Sequence, residues 1–339
     1  MILKRRVFSL ALLLALAAMT PGVLKAQDAQ PMSEVSLGTT STGGGKTAGG
    51  NLSGGTVTGI DGGGEFSAPA ASTTGPEAVT YDGTYVWIAS QFSDSVTRVR
   101  VSDGTLAGTF AVGKRPVALL YAAGYVWVAN LVSDTISKVN PSTGAVAATY
   151  SAGDGPGGLT FDGTSLWISN REGNNVIKMS TSGAKLGTYA VGNRPVGITF
   201  AGGSIWVVNN FSNSVTKLSL AGAVLGTFPT GKGPFGVAGQ GDSVWVTNYF
   251  GKSVTKLRAA DGFNLGEFKV GDGAAGVLFD GNYVWVVNNG DSTLMKLTPA
   301  GAIVTTYATG KGPFSVAYDG AKVWVSNFAS NSVSTTAAN

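Results

Sequence analysis

The sequence predicts an all-β fold, a seven-bladed β-propeller of four-stranded antiparallel blades, and three periodic observations predict it. The chain holds seven tryptophans, Trp87, Trp127, Trp167, Trp206, Trp245, Trp285 and Trp324, at intervals of 40, 40, 39, 39, 40 and 39 residues. A period near 40 is too long for a helical heptad and matches one propeller blade. Eleven residues before each Trp stands Pro76, Pro116, Pro156, Pro195, Pro234 and Pro313, with Ala274 the one departure. Three residues after each Trp stands Asn130, Asn170, Asn209, Asn248, Asn288 and Asn327, with Ser90 the one departure. Seven copies predict seven blades around a central channel.

Each unit reads as four short strands. The first follows the proline, as in GPEAVTYDG and RPVGITFAG, where large apolar residues alternate (Val79 and Tyr81, Ile198 and Phe200) with the period of a strand. A turn such as Asp82-Gly83, Asp162-Gly163 or Asp280-Gly281 follows. The second strand carries the Trp (YVWIA, SLWIS, SIWVV), and a polar turn such as 211–214 leads to a third, SVTKL-like strand with an aliphatic residue nine positions after the Trp. The fourth is GTF-like and ends at Val-Gly or Thr-Gly before the next proline. The 51 glycines suit a chain of many tight turns.

The ends predict how the ring closes. The last unit stops after its third strand, near 330–335, so its fourth strand must come from elsewhere. Gly64-Glu65-Phe66 resembles Gly108-Thr109-Phe110 and is expected to supply it, removing an exposed edge. The spacing does not match: Phe110 lies six residues from Pro116, Phe66 ten from Pro76. Residues 64–339 are therefore read as the propeller. Residues 27–63, rich in Gly, Ser and Thr, read as a flexible linker. Residues 1–26 have basic residues, an apolar run from Val7 to Met19 and small residues around Ala26, the order of a secretory signal peptide. The expected location is extracellular or periplasmic, with no membrane insertion after cleavage and a monomeric product.

Composition excludes several classes of function. There is no His and no Cys, so Ser-His-Asp and Cys-His catalysis, haem attachment, thiolate metal sites and disulfides are all ruled out. The net charge of +4 comes from Lys4, Arg5, Arg6 and Lys25; without them, 19 basic residues face 19 acidic ones. A neutral chain has no nucleic-acid footprint. Gly45-Lys46-Thr47 looks like the end of a phosphate-binding loop, but Thr40 stands where that loop needs glycine. No cofactor and no metal ligand set is expected.

The loops before the prolines and the turns after the Trp strands should crowd one face of the ring, at the channel mouth. Those loops bring Lys114, Arg115, Arg194, Lys232 and Lys311 against Asp154 and Asp272. Glu77, Phe235 and Phe314 follow their prolines, and the turns add Phe92, Arg171, Glu172, Phe211, Tyr249, Phe250 and Phe328. Aromatics beside cations are suited to a glycan, a peptide or another polar ligand. The competing reading is that the aromatics plug the channel and the cations are solvated. The recurring Asn after each Trp reads as a turn-forming residue. Arg98, Lys138, Lys178, Lys217, Lys256 and Lys296, eleven after the first six Trp, read as an exposed face that resists edge association.

The segment VWVANLVSDTISKVNPSTGAVAATYSAGDGPGGLTFDGTSLWISN (126–170) resembles the YVTN-type propeller repeats and, more broadly, the NHL-like group. The Gly-Pro, Asp-Gly and Trp units are also similar to those of the streptogramin B lyases, which include virginiamycin B lyase. The resemblance covers 64–339 and implies the fold. The lyases' elimination chemistry relies on His and Glu with a magnesium ion, and with no His here no catalytic position carries over. The expected function is an exported binding or interaction scaffold with a protein, peptide or glycan partner. The alternative is a C–O lyase that uses carboxylates and a metal.

Overall fold

The computed structural model describes residues 30–36, 59–60, 63–64 and 75–339. The expected signal peptide, most of the Gly/Ser/Thr-rich segment and Phe66 lie outside them. The described residues form seven four-stranded antiparallel sheets in a ring. The first blade runs Pro76–Tyr81, Tyr85–Ser90, Ser95–Arg100 and Leu106–Ala111. Five more follow in the same order, over 116–151, 156–190, 195–229, 234–269 and 274–308. The seventh is made of Pro313–Tyr318, Lys322–Asn327 and Ser332–Ala337. Its fourth strand is Ser33–Ser36, with Val35 opposite Val333.

An N-terminal strand therefore closes the last blade, but it is Ser33–Ser36 and not Gly64, the one described residue of the expected segment. Among the described residues Gly63–Gly64 pairs only with Gly59–Ile60, in a separate two-stranded ribbon. The closing strand falls inside the segment read as linker. Gln30–Pro31 runs parallel to the outer strand of blade six, and the Met32 N–H donates to Ala308 O at 3.0 Å. The chain thus crosses from blade six to blade seven before it reaches the first blade. The spacing mismatch at Phe66 was the sign that the closing strand lies elsewhere.

The Trp period is a packing period. All seven indoles are buried. Trp87 packs on Val126, Val128 and Val139 of the next blade, and Trp127 on Leu166, Ile168 and Met179. Each of the first six also lies against an aromatic of its own fourth strand, such as Tyr189 on Trp167 at 5.5 Å. The Asp-Gly turns do more than reverse the chain. Asp162 accepts from the Trp167 indole at 2.8 Å, from the Thr164 hydroxyl and from the N–H groups of Thr164 and Ser165. Burial alone would raise its pKa; these donors outweigh it and hold the carboxyl at about 2.

The third-strand cations are not a solvated face. Each reaches across to backbone carbonyls of the next blade, 42–44 residues on. Lys138 donates to Thr181 O, Lys178 to Leu220 O, Lys256 to Pro299 O and Lys296 to Ala338 O, all within 2.9 Å. Lys217 donates to both Ala259 O and Ala260 O, and Arg98 to Pro141 O and Ser142 O. Each also stands over its own blade's Trp. The alignment of four-carbon stem, indole face and carbonyl explains why a cation recurs there. The Asn residues do not bond their own turns either. Asn130, Asn209, Asn248 and Asn327 donate to two hydroxyls of the adjacent third strand.

Candidate functional site

The inner strands line the channel, and the residues after each proline decide what it holds. Two positions on, the side chains are small: Ala78, Ala118, Gly158, Gly197, Gly236, Gly276 and Ser315. A Cβ at Gly158, Gly197 or Gly236 would overlap the carbonyl oxygen of Val196, Phe235 or Ala275 on the neighbouring inner strand. Three positions on, the ring is wholly aliphatic: Val79, Leu119, Leu159, Ile198, Val237, Val277 and Val316. These rings and the mouth above them enclose a cavity of about 190 Å³. Among its lining residues only Glu77 and Arg171 are ionisable.

Arg171 comes from the turn after the Trp167 strand, and its place in the repeat is held elsewhere by Gln91, Leu131, Asn210, Tyr249, Asn289 and Phe328. Asn210 and Asn289 use it to donate to the next blade's proline carbonyl, Pro234 O and Pro313 O. Arg171 turns inward instead. It crosses over Gly157, where a Cβ would overlap its Nε, so the glycine after Pro156 makes its path. Its Nη2 stands 3.7 Å from Glu77 Oε1 and 3.5 Å from Gly157 O. Its Nε has no hydrogen-bond partner among the described residues, although the side chain is 8% exposed. Burial pushes this guanidinium's pKa down, against the pull of Glu77. Burial pushes the Glu77 carboxyl up, against Arg171 and Arg115.

Arg115 and Arg194 flank it from the loops of blades two and four, and both interact electrostatically with Arg171. Each occupies the position before the proline, where the backbone is left-handed in all seven blades. Five blades have glycine there, at φ between 61° and 70°; Arg115 and Arg194 hold φ 58° and 52°. That region disfavours a side chain by roughly 1–2 kcal/mol per residue. Arg115 Nε donates to Gln91 Oε1 at 2.8 Å, and Arg194 stacks 4.8 Å over Phe211. Burial lowers the Arg194 pKa, opposed by Glu172.

The other side of the mouth is aromatic. Phe235 and Phe314 meet edge to face at 5.1 Å and line the cavity. Tyr249 packs on Phe235 and Phe250, and its hydroxyl donates to Asn289 Oδ1 at 2.9 Å. Burial and then Asp272 push this phenol up to about 12. Of the residues expected at the mouth, Arg171, Phe235 and Phe314 line the cavity; Arg115, Arg194 and Glu172 interact electrostatically with Arg171, and Phe211 and Phe250 pack on Arg194 and Tyr249. Lys114, Lys232 and Lys311 are exposed on their loops and do not line it. Glu77 stands beside Arg171 as the one carboxylate in the cavity.

No family model and no curated protein matches the chain. Solved structures do. A streptogramin B lyase superposes with a TM-score of 0.69 at 18% identity, over 78% of this chain and 93% of the lyase. Virginiamycin B lyase from Staphylococcus aureus gives 0.69 at 19%, over 78% and 96%. A hydrazine synthase of Kuenenia stuttgartiensis gives 0.71 at 19%, over 79% and 96%. The chain is related in fold to the streptogramin B lyases. At that identity the relation is one of fold. A catalytically inactive His-to-Ala variant of the S. aureus lyase has been solved with quinupristin. This chain has no histidine, and among the described residues no three acidic side chains converge as a metal site would need. A magnesium centre of the lyase kind does not fit the residues present, and Glu77, the carboxylate in the cavity, is paired with an arginine.

Proposed function

We propose that the protein is an exported β-propeller that serves as a binding scaffold, taking a polar or anionic ligand such as a peptide or glycan at its channel mouth. The observation that carries this reading is the divided mouth, with three guanidinium groups on one side and four packed aromatics on the other. Packing between blades demands neither. A cationic, partly apolar funnel attracts and orients an anion. The order of basic, apolar and small residues before Gln27 supports export. The test is a thermal-shift screen of glycans, peptides and metals on secreted protein whose N-terminus is fixed by intact mass, since a ligand of the native state raises the melting temperature. At least one peptide or glycan should stabilise it, and Arg115→Gly with Arg194→Gly should weaken binding without loss of fold. A mass starting at Met1 contradicts export; a screen with no stabilising ligand contradicts the binding reading.

The fold relation brings a second reading, a C–O lyase that uses carboxylates and a metal, which the residues present do not favour. Incubation with quinupristin should leave its ring closed; a linear isomer of the same mass, separated by chromatography, would establish the lyase instead.

A further inference from the structure

Resting on the reading of the mouth as a binding site, we infer that the channel is a site for a small amphipathic monocarboxylate, with the carboxylate on Arg171 and an apolar body among the aliphatic side chains below. Four observations converge on it. The Nε–Nη2 edge of a guanidinium matches the two oxygens of a carboxylate. On Arg171 that edge is unsatisfied: Nε is buried with no partner among the described residues, and Nη2 has only Glu77 at 3.7 Å and Gly157 O at 3.5 Å. A buried donor left unpaired costs about 1–3 kcal/mol, which a ligand oxygen would relieve.

Arg171 also gives up the joint-closing role that Asn210 and Asn289 play at its place in the repeat. It enters the channel only because residue 157 is glycine. A side chain that forgoes a structural bond to reach a cavity is placed for what the cavity holds.

The charge count sets the ligand's charge. The groups that interact with Arg171 are Glu77, Arg194, Arg115 and Glu172. Three guanidiniums against two carboxylates leave one excess positive charge, which one carboxylate balances and a phosphate dianion would overshoot. Two of the three arginines stand in backbone that five other blades give to glycine. Every blade has a non-glycine residue in this backbone at its second turn, but before the proline only these two blades do, and a departure confined to them points to function.

The walls set the ligand's body. Below Arg171 the cavity is lined by Val79, Leu119, Leu159, Ile198 and Val237, with Phe235 at the mouth. A sugar would bury hydroxyls there without partners. A short hydrocarbon would not, and a volume of about 190 Å³ admits one. The carboxylate comes from a free acid or from the C-terminus of a peptide ending in an aliphatic residue; the chemistry is the same.

The experiment is isothermal titration of the mature protein with hexanoate, hexan-1-ol, and a short peptide ending in leucine as free acid or as amide. Hexanoate, the free-acid peptide or both should bind at least tenfold more tightly than hexan-1-ol or the amide. Which one binds identifies the source. Arg171→Gln should remove the difference. Glu77→Gln, which deletes the competing carboxylate, should strengthen carboxylate binding several-fold, and it keeps the test decisive if Arg171→Gln does not fold by tryptophan fluorescence. Equal binding of acid and alcohol overturns the inference, as does weaker carboxylate binding to Glu77→Gln. If neither carboxylate binds while another ligand of the screen does, the inference falls and the binding reading stands. If nothing binds, both fall.

Discussion

The two sides of the channel mouth are built from the same loops of one repeat and differ in kind. Over blades two to four the residues beside the proline and after the Trp strand include Arg115, Arg171 and Arg194; over blades five to seven they include Phe235, Tyr249, Phe250 and Phe314. The shell behind them is nearly uniform. A propeller packs each blade on the next in the same way, so the indole, the third-strand cation and the small inner residues are required at almost every joint. Nothing in that packing fixes the mouth. Periodicity therefore marks the joints, and departures from it mark positions that the joints do not set.

The shell should respond to substitution as a core, and the mouth as a site. The largest effect is expected at an indole. Trp206→Ala removes a fully buried ring packed on Val244, Val246 and Leu257 of the next blade. It should cost about 3–5 kcal/mol by denaturant titration. A loss below about 1 kcal/mol would mean that the joints do not rest on the Trp ring.

A joint cation comes next. Lys217→Met keeps an apolar stem on Trp206 but deletes the donor to Ala259 O and Ala260 O. Hydrogen bonds from a charged group contribute about 1.5–3 kcal/mol, and a loss of that order is expected in the same titration. An unchanged midpoint would return these cations to the solvated face that their sequence pattern suggested.

The fold was legible because its signal is repeated. Trp, Pro and Asn each recur six or seven times, so single departures such as Ala274 or Ser90 do not hide the blade. What a residue does across a joint was not legible. The carbonyl that Lys217 reaches lies 42 residues away, and an alternating strand pattern does not say which face a neighbouring blade covers. The closing strand was missed because Ser33–Ser36 is four residues with no Trp, Pro or Gly-Thr-Phe marker to align. At the mouth, residue type does not rank the cations: only geometry separates Arg171, which lines the cavity, from Lys232 and Lys311, which do not. One signal in the sequence was available and not read: at the position before the proline, Arg115 and Arg194 break a run of glycines.

That break gives the smallest expected change in stability and the sharpest test of the comparison. In Arg115→Gly with Arg194→Gly, the left-handed backbone passes to the residue that five other blades use there. Relief of strain stabilises by roughly 1–2 kcal/mol per site. Against it stand the freedom glycine adds to the unfolded chain, about 0.5–1 kcal/mol per site, and the lost Arg194–Phe211 stacking, about 0.5–1 kcal/mol at an exposed ring. The loss of the Arg115–Gln91 hydrogen bond removes about 1 kcal/mol more. The terms nearly cancel, so the double variant should unfold within about 1 kcal/mol of the parent chain. Its affinity for an anionic ligand should fall together with the salt dependence of binding, since two of the three guanidiniums are gone. A destabilisation as large as that of Lys217→Met, with affinity intact, would place these arginines in the shell and erase the distinction between the two regions. Unchanged stability with lost affinity would show that two blades carry strained backbone for the sake of the ligand.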